Sequence, residues 1–174
     1  MHATNDSRSC PGHTQTVTIH PPGEGEMVWF LNNLVTVKAS ARNGARFGLA
    51  EATLPAGSET PFHRHHDDDE SFYILEGAMS LFLEDGRVVE ARPGSFVHIP
   101  HGVAHGLRAT TPLKMLVLSD PAGFLEFVRE YGVEAPRREL PPAAPPDVPR
   151  LVAVANKHRI EILGPLPAHA HSAR

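Results

Sequence analysis

One stretch constrains this chain more than any other: Gly57-Ser-Glu-Thr-Pro-Phe-His63-Arg-His65-His66-Asp-Asp-Asp-Glu70-Ser-Phe-Tyr-Ile-Leu-Glu-Gly77. His63 and His65 are two residues apart, so on an extended strand both imidazoles leave the same face. The acidic run from Asp67 to Asp69 reads as a turn, because Asp side chains bond nearby backbone and tolerate tight geometry. Glu70 then opens an aromatic and β-branched run that has the character of a second strand. Antiparallel pairing of the two strands would return the Glu70 carboxylate to the imidazoles. Two nitrogens and one oxygen converging in this way make most of a metal site.

A second stretch supplies a further ligand. Residues 94–106 read Gly94-Ser-Phe-Val-His-Ile-Pro100-His-Gly102-Val-Ala-His105-Gly106. Pro100 and Gly102 force a bend after the strand Ser95 to Ile99, and His105 opens the next extended segment. Together the two stretches resemble the cupin superfamily. The first fits Gly-x5-His-x-His-x4-Glu-x6-Gly at every fixed position, and the second fits Gly-x5-Pro-x-Gly-x2-His. Ala109 stands where an Asn often follows the last His of that pattern. The resemblance implies an all-β jelly-roll barrel, the cupin double-stranded β-helix, holding one divalent transition metal through His63, His65, Glu70 and His105. Among the other histidines, His66 should point to the opposite face from His65. His98 is expected to line the pocket or to serve structure, and His101 to face solvent.

The remainder of the chain agrees with an all-β domain. Short apolar runs alternate with Gly and Pro turns, among them Asn43-Gly44 and Asp85-Gly86, which are hairpin signals. Strands are expected at Val17 to His20, within Met27 to Lys38, at Phe47 to Leu54, from Ala78, at Arg87 to Ala91 and at Leu113 to Ser119. After residue 120 the pattern changes. Asp120-Pro121 reads as a helix start, with Asp as cap and Pro at the first helical position, and Gly132 as the stop. Residues 135–149 contain six prolines and form a stiff linker. Asp147 opens a second helical pattern carrying Leu151, Val154, Ala155 and His158. The extended run Ile160-Glu-Ile-Leu-Gly-Pro165 follows. The expected organisation is a flexible tail over 1–16, a barrel over 17–120 and a segment over 121–174, with short helices, packed on the barrel or on a dimer partner.

Three of these runs narrow the resemblance: Trp29-Phe30-Leu31-Asn32-Asn33, Pro121-Ala-Gly-Phe124 and Ile160 to Pro165. They look like a bacterial cupin subgroup labelled quercetin 2,3-dioxygenase-like. Net charge is −4 with no long basic block, which argues against nucleic acid or an anionic membrane as partner. No apolar run reaches a membrane span, the N-terminal residues lack a secretory pattern, and Cys10 is the single cysteine, so a cytoplasmic setting is expected.

Three imidazoles and one carboxylate leave positions open on Fe, Mn, Ni, Co, Cu or Zn, a donor set that does not separate these metals. The pocket wall is expected to be apolar, drawn from Trp29, Phe62, Phe72, Ile74 and Phe96 with His98, and to take a small-molecule substrate. The subgroup resemblance implies a dioxygenase acting on a flavonol-like or other enolisable aromatic, with Glu70 as ligand and base. A non-redox cyclase or isomerase of secondary metabolism, or a non-enzymatic binding cupin, are the alternatives. No helix-turn-helix pattern accompanies the barrel. Open sheet edges and the family resemblance lead to a homodimer as the expected assembly.

Overall fold

The computed structural model describes residues 17–167. The expected tail over 1–16 lies outside the described residues, as do His169 and His171. Ten strands come first: β1 (Glu26–Phe30), β2 (Asn33–Ala39), β3 (Gly48–Leu54), β4 (Phe62–His65), β5 (Asp69–Glu76), β6 (Met79–Leu83), β7 (Val88–Ala91), β8 (Phe96–Ile99), β9 (His105–Ala109) and β10 (Leu113–Asp120). Helix α1 (Phe124–Tyr131), strand β11 (Val133–Glu134), helix α2 (Val148–Lys157) and strand β12 (Ile160–Gly164) complete the order. Val17 to His20, expected as a strand, is instead exposed and unpaired. An alternating run forms a strand only where a neighbour completes its ladder, and none among the described residues pairs with it.

All strand pairs are antiparallel and form two sheets. The seven-stranded sheet has the order β11-β1-β2-β3-β10-β5-β8, and the five-stranded sheet β12-β4-β9-β6-β7. The result is the jelly roll that the sequence implies. Period-two alternation fixes its inner faces. In β3, every second residue from Gly48 to Leu54 is buried, and the facing strand β10 buries Leu113, Met115 and Val117. One core cluster joins these to Phe72, Ile74, Met79, Leu81, Ile99 and Leu107 from both sheets. A second cluster joins Val28, Phe30, Val35 and Val37 to the helices through Leu125, Phe127, Val128, Tyr131, Leu151 and Ala155. Each such side chain contributes on the order of 2 kcal/mol when fully withdrawn from water.

The C-terminal segment differs from expectation at two places. The barrel expected to end at residue 120 takes two further strands from the later chain: β11 pairs with β1, and β12 pairs along β4 with Ile160 opposite His65 and Ile162 opposite His63. The first helix also starts later than Asp120-Pro121 suggests. Sheet pairing runs on to Asp120, opposite Asp69, so that residue is committed to β10 and Gly123 stands at the helix cap. The carboxylate at the helix start comes from elsewhere: Asp68 accepts a hydrogen bond from the Phe124 backbone N–H. For α2 the expected cap holds, with Asp147 accepting from the Arg150 N–H at 3.1 Å. The proline-rich span between the helices is fastened to the barrel. Trp29 Nε1 donates to the Glu139 carbonyl at 2.8 Å, and the Ala144 N–H donates to Asn32 Oδ1 at 3.2 Å. Among the described residues no helix is long and apolar enough to cross a membrane.

Gly57 and Gly77, which bracket the first motif, both hold left-handed backbone at φ +81° and +77°. Their surroundings differ. A Cβ at Gly57 meets nothing, whereas one at Gly77 runs into the Pro112 carbonyl oxygen. Gly57→Ala is therefore expected to cost about 1 kcal/mol of unfolding free energy, and Gly77→Ala clearly more, by urea titration. Equal losses at the two positions would contradict this account of the turns.

Candidate metal centre

Two adjacent strands and one strand of the opposite sheet build the centre. In the five-stranded sheet, His63 on β4 stands directly opposite His105 on β9, and His65 follows on the same inner face. Glu70 arrives from β5 in the seven-stranded sheet. The expected hairpin pairing between the His and Glu strands does not occur. Residues 66–68 carry the chain from one sheet to the other, and Glu70 pairs with Ser119 and Ile99 instead. The carboxylate reaches the imidazoles across the barrel. The four side chains each offer one ligand atom, and these atoms lie within 4.8 Å of one another.

Hydrogen bonds orient the rings. His63 Nδ1 donates to the Pro61 carbonyl at 2.9 Å, and His105 Nδ1 donates to the Val103 carbonyl at 3.0 Å. Each bond leaves Nε2 for the centre. Burial, then the neighbouring His105 and His65, push the His63 imidazole down to about 3, so it is neutral at pH 7. His65 is lowered as well, chiefly by burial. Burial acts to raise Glu70, but the imidazoles of His65, His105 and His63 outweigh it and hold the carboxyl down to about 2. Burial acts to lower His105, and its hydrogen bond with Glu70 overcomes this and raises it.

Two features fit a metal. His105 Nε2 and Glu70 Oε2 are 3.0 Å apart, and two lone-pair acceptors at that distance need a cation between them, either a proton or a metal. His65 is buried with neither ring nitrogen hydrogen-bonded, and its Nε2 lies 3.6 Å from Glu70 Oε2. Unsatisfied buried nitrogens are costly unless a ligand completes them. Around one ion with bonds of about 2.1 Å, ligand atoms stand about 3 Å apart at right angles and about 4.2 Å apart across the ion, close to the spacing found here.

The remaining histidines stay away. His66 Nε2 faces Glu161 at 3.4 Å on the outer side, as its place after His65 requires. His101 is exposed beside Asp69, and His98 bonds Ser71 Oγ through Nδ1 at 3.0 Å.

An apolar cavity of about 80 Å³ adjoins the cluster at the junction of the two cores. Of the wall residues expected from the sequence, Phe72 lines it and the others do not. Phe62 precedes His63 on the strand, so an inward His63 turns Phe62 outward. Phe96 and His98 share the outer face of β8, with Phe96 67% exposed. Ile74 does point inward, but it is fully buried in the packed core at the other end of the barrel. Trp29 is excluded by the alternation that buries Val28 and Phe30 on either side of it. Phe30 lines the cavity in its place, with Leu31, Met115, Phe124, Phe127, Leu151 and Ile160. The alternation of β1 could have selected Phe30. Nothing local could have selected the helix residues, which reach the cavity through tertiary packing.

The barrel, its inward cluster and the two glycine-bounded motifs match a family model described as Cupin domain over residues 50–119. An oxalate-binding protein of Thermotoga maritima is 32% identical over 98 residues, which is 55% of this chain and 75% of that protein. The chain belongs to the cupin superfamily. This cupin is also 30% identical over 112 residues to the quercetin 2,3-dioxygenase of Bacillus subtilis, covering 63% of the chain. The match spans 33% of that enzyme's length. Among solved structures, the ectoine synthase of P. lautus superposes with a TM-score of 0.58 at 20% identity, over 71% of this cupin and 94% of that chain, a likeness of fold.

The electrostatics predict how a metal competes with protons. In the metal-free cupin, Glu70 stabilises His105 in its protonated form, raising it above the usual value of 6.5. A metal must displace that proton below the raised value, so affinity should fall about tenfold per pH unit as the solution is acidified through it. Above it, affinity should level off, because His63 and Glu70 titrate far lower. Zinc titrations between pH 5 and about 9 check this, and pH-independent affinity across that range would exclude His105 as a ligand.

Proposed function

We propose that this cupin is a metal-dependent dioxygenase for an enolisable substrate of flavonol or related aromatic type, with His63, His65, Glu70 and His105 as the ligands of one divalent transition metal. The observation that carries this reading is a four-donor cluster opening onto a wall otherwise almost wholly apolar. Its supporting likeness is the Bacillus dioxygenase. A redox-active metal bound there would supply Lewis acidity and the electron transfer that activation of dioxygen requires.

The protein's own groups supply the rest. Asn33 and Thr60, the polar wall residues besides the ligands, are occupied: Asn33 Oδ1 accepts from Ser58 Oγ at 2.8 Å, and Thr60 Oγ1 from the Leu107 N–H at 3.0 Å. The wall thus recognises shape and excludes water. Glu70 is ionised at neutral pH and available to accept the enol proton. The imidazoles of His65, His105 and His63 around it keep that carboxylate in its charged form. The Thermotoga relative is named for binding oxalate, a small dianion that a divalent metal could also chelate; the apolar wall is what favours an aromatic ligand here.

Iron-, manganese-, nickel- and copper-loaded protein should be given a flavonol panel in an oxygen electrode. Oxygen consumption matched to substrate loss is expected, with no consumption by the zinc form. Glu70→Gln that retains metal should lower turnover by about 100-fold while leaving flavonol binding largely intact. Equal activity with zinc, or turnover without oxygen, would replace this reading with Lewis-acid chemistry.

A homodimer belongs to the same reading. Edge strand β8 presents Phe96 opposite Tyr73, which stands opposite Leu116, with Leu118 one step along the same outer face of the seven-stranded sheet. A second copy covering this apolar face would also protect the open edge. Phe96→Asp should convert a dimer to a monomer by light scattering, and a monomeric unmodified protein would remove the assembly from the proposal.

A further inference from the structure

The cavity beside the metal centre is too small for the substrate class just proposed. Its volume of about 80 Å³ is below the ~150 Å³ that encloses a single benzene ring. An aromatic substrate can place its chelating edge there, but its bulk must lie elsewhere. A larger groove of about 520 Å³ adjoins it. Leu31, Thr60, Pro61, Leu151 and Ile162 line both spaces, so the two abut along these residues. The groove's outer wall comes from the proline-rich span and α2, through Ala144, Pro146 and Val148.

The junction of the two spaces is built under constraint. Leu31 holds φ +56°, a backbone that branched side chains rarely adopt. Its neighbour Asn32 accepts from the Ala144 N–H, which ties the turn to the groove's outer wall. Strained positions of this kind persist where the surroundings over-determine them, and they cluster at ligand clamps. Here the strained residue is a leucine that lines both the metal cavity and the groove.

We propose that the outer groove is a second subsite, which holds the distal apolar half of the same substrate whose chelating edge enters the inner cavity. This rests on the reading of the chain as a metal-dependent cupin for enolisable aromatics. The preferred substrate is therefore elongated, with a hydroxy-ketone edge at one end and an uncharged aryl or alkyl group at the other. Selectivity among substrates comes from the groove, because the inner space admits only the common chelating edge.

Two probes with one chelating unit separate the parts: maltol, a single 3-hydroxy-4-pyranone ring, and 3-hydroxyflavone, which adds fused and distal aryl rings. Binding is measured by absorbance titration of the zinc-loaded full chain, where no turnover is needed. Val148→Trp and Ala144→Trp fill the groove from two points, and both parent side chains are exposed and absent from the inner cavity. Each variant should weaken 3-hydroxyflavone by about tenfold or more, as expected for displacing a six-carbon ring, and leave maltol within about twofold. Flavone affinity unchanged in both variants overturns the subsite, and so does an equal loss for both probes. A change in molecular size with unchanged flavone affinity would assign the groove to a second copy of the chain and likewise overturn it. Failure of 3-hydroxyflavone to bind the unmodified chain overturns the subsite together with the chelation it rests on. Selective weakening of the flavone without oxygen consumption by any metal form would support the subsite and remove only the dioxygenase reading.

Discussion

A carboxylate buried among three imidazoles is the constraint on which the rest of this structure turns. Taken alone, Glu70 inside the barrel would carry a heavy desolvation cost and would take up a proton. The surrounding His65, His105 and His63 reverse that tendency and leave the carboxyl low. The arrangement is self-consistent only with a cation at its middle. Without metal, a proton shared between Glu70 and His105 serves, while both nitrogens of His65 go without a partner. A metal at the middle would use all four donors. A metal bound there would add to folded-state stability with the logarithm of its free concentration relative to its dissociation constant, by the ordinary linkage between binding and folding.

The two-sheet fold follows from the same demand. The donors come from β4 and β9 of one sheet and β5 of the other, so the centre clips the barrel together across its interior. Helix α1 then closes one side. The Asp68 carboxylate, two residues before Glu70, accepts from the Phe124 N–H, and the Phe124 ring sits 5.5 Å from that of His65. One short acidic turn therefore delivers Glu70 to the cluster and holds an aromatic wall against it.

How much of this was legible in the sequence depends on the range of the interaction. Side-chain direction along a strand has a period of two, and it placed His63 with His65 and set His66 outside. The same rule, applied one residue further, would have turned Phe62 outward and preferred Phe30 to Trp29. Those errors came from weighting residue size over alternation. Strand partners were a different matter. The acidic run reads equally as a hairpin or as a crossing between sheets, and the choice is made by pairing with β8 and β10, which are remote in the chain. The helix start at Gly123 and the helix residues of the cavity wall were hidden for the same reason. Their partners, Asp68 and Phe30, are far away in sequence.

The run Trp29-Phe30-Leu31-Asn32-Asn33 shows what one turn can coordinate when its residues alternate in direction. Trp29 points out and fastens the proline-rich span through the Glu139 carbonyl. Phe30 points in, lines the cavity, and meets Phe127 and Tyr131 edge to face. Leu31, in left-handed backbone, lines both the cavity and the outer groove. Asn32 takes the Ala144 N–H, and Asn33 takes the Ser58 hydroxyl beside the first motif. A barrel needs none of these contacts to close. Together they fix the span over residues 135–147 relative to the metal centre, and so set the shape of the space that any ligand must enter to reach it.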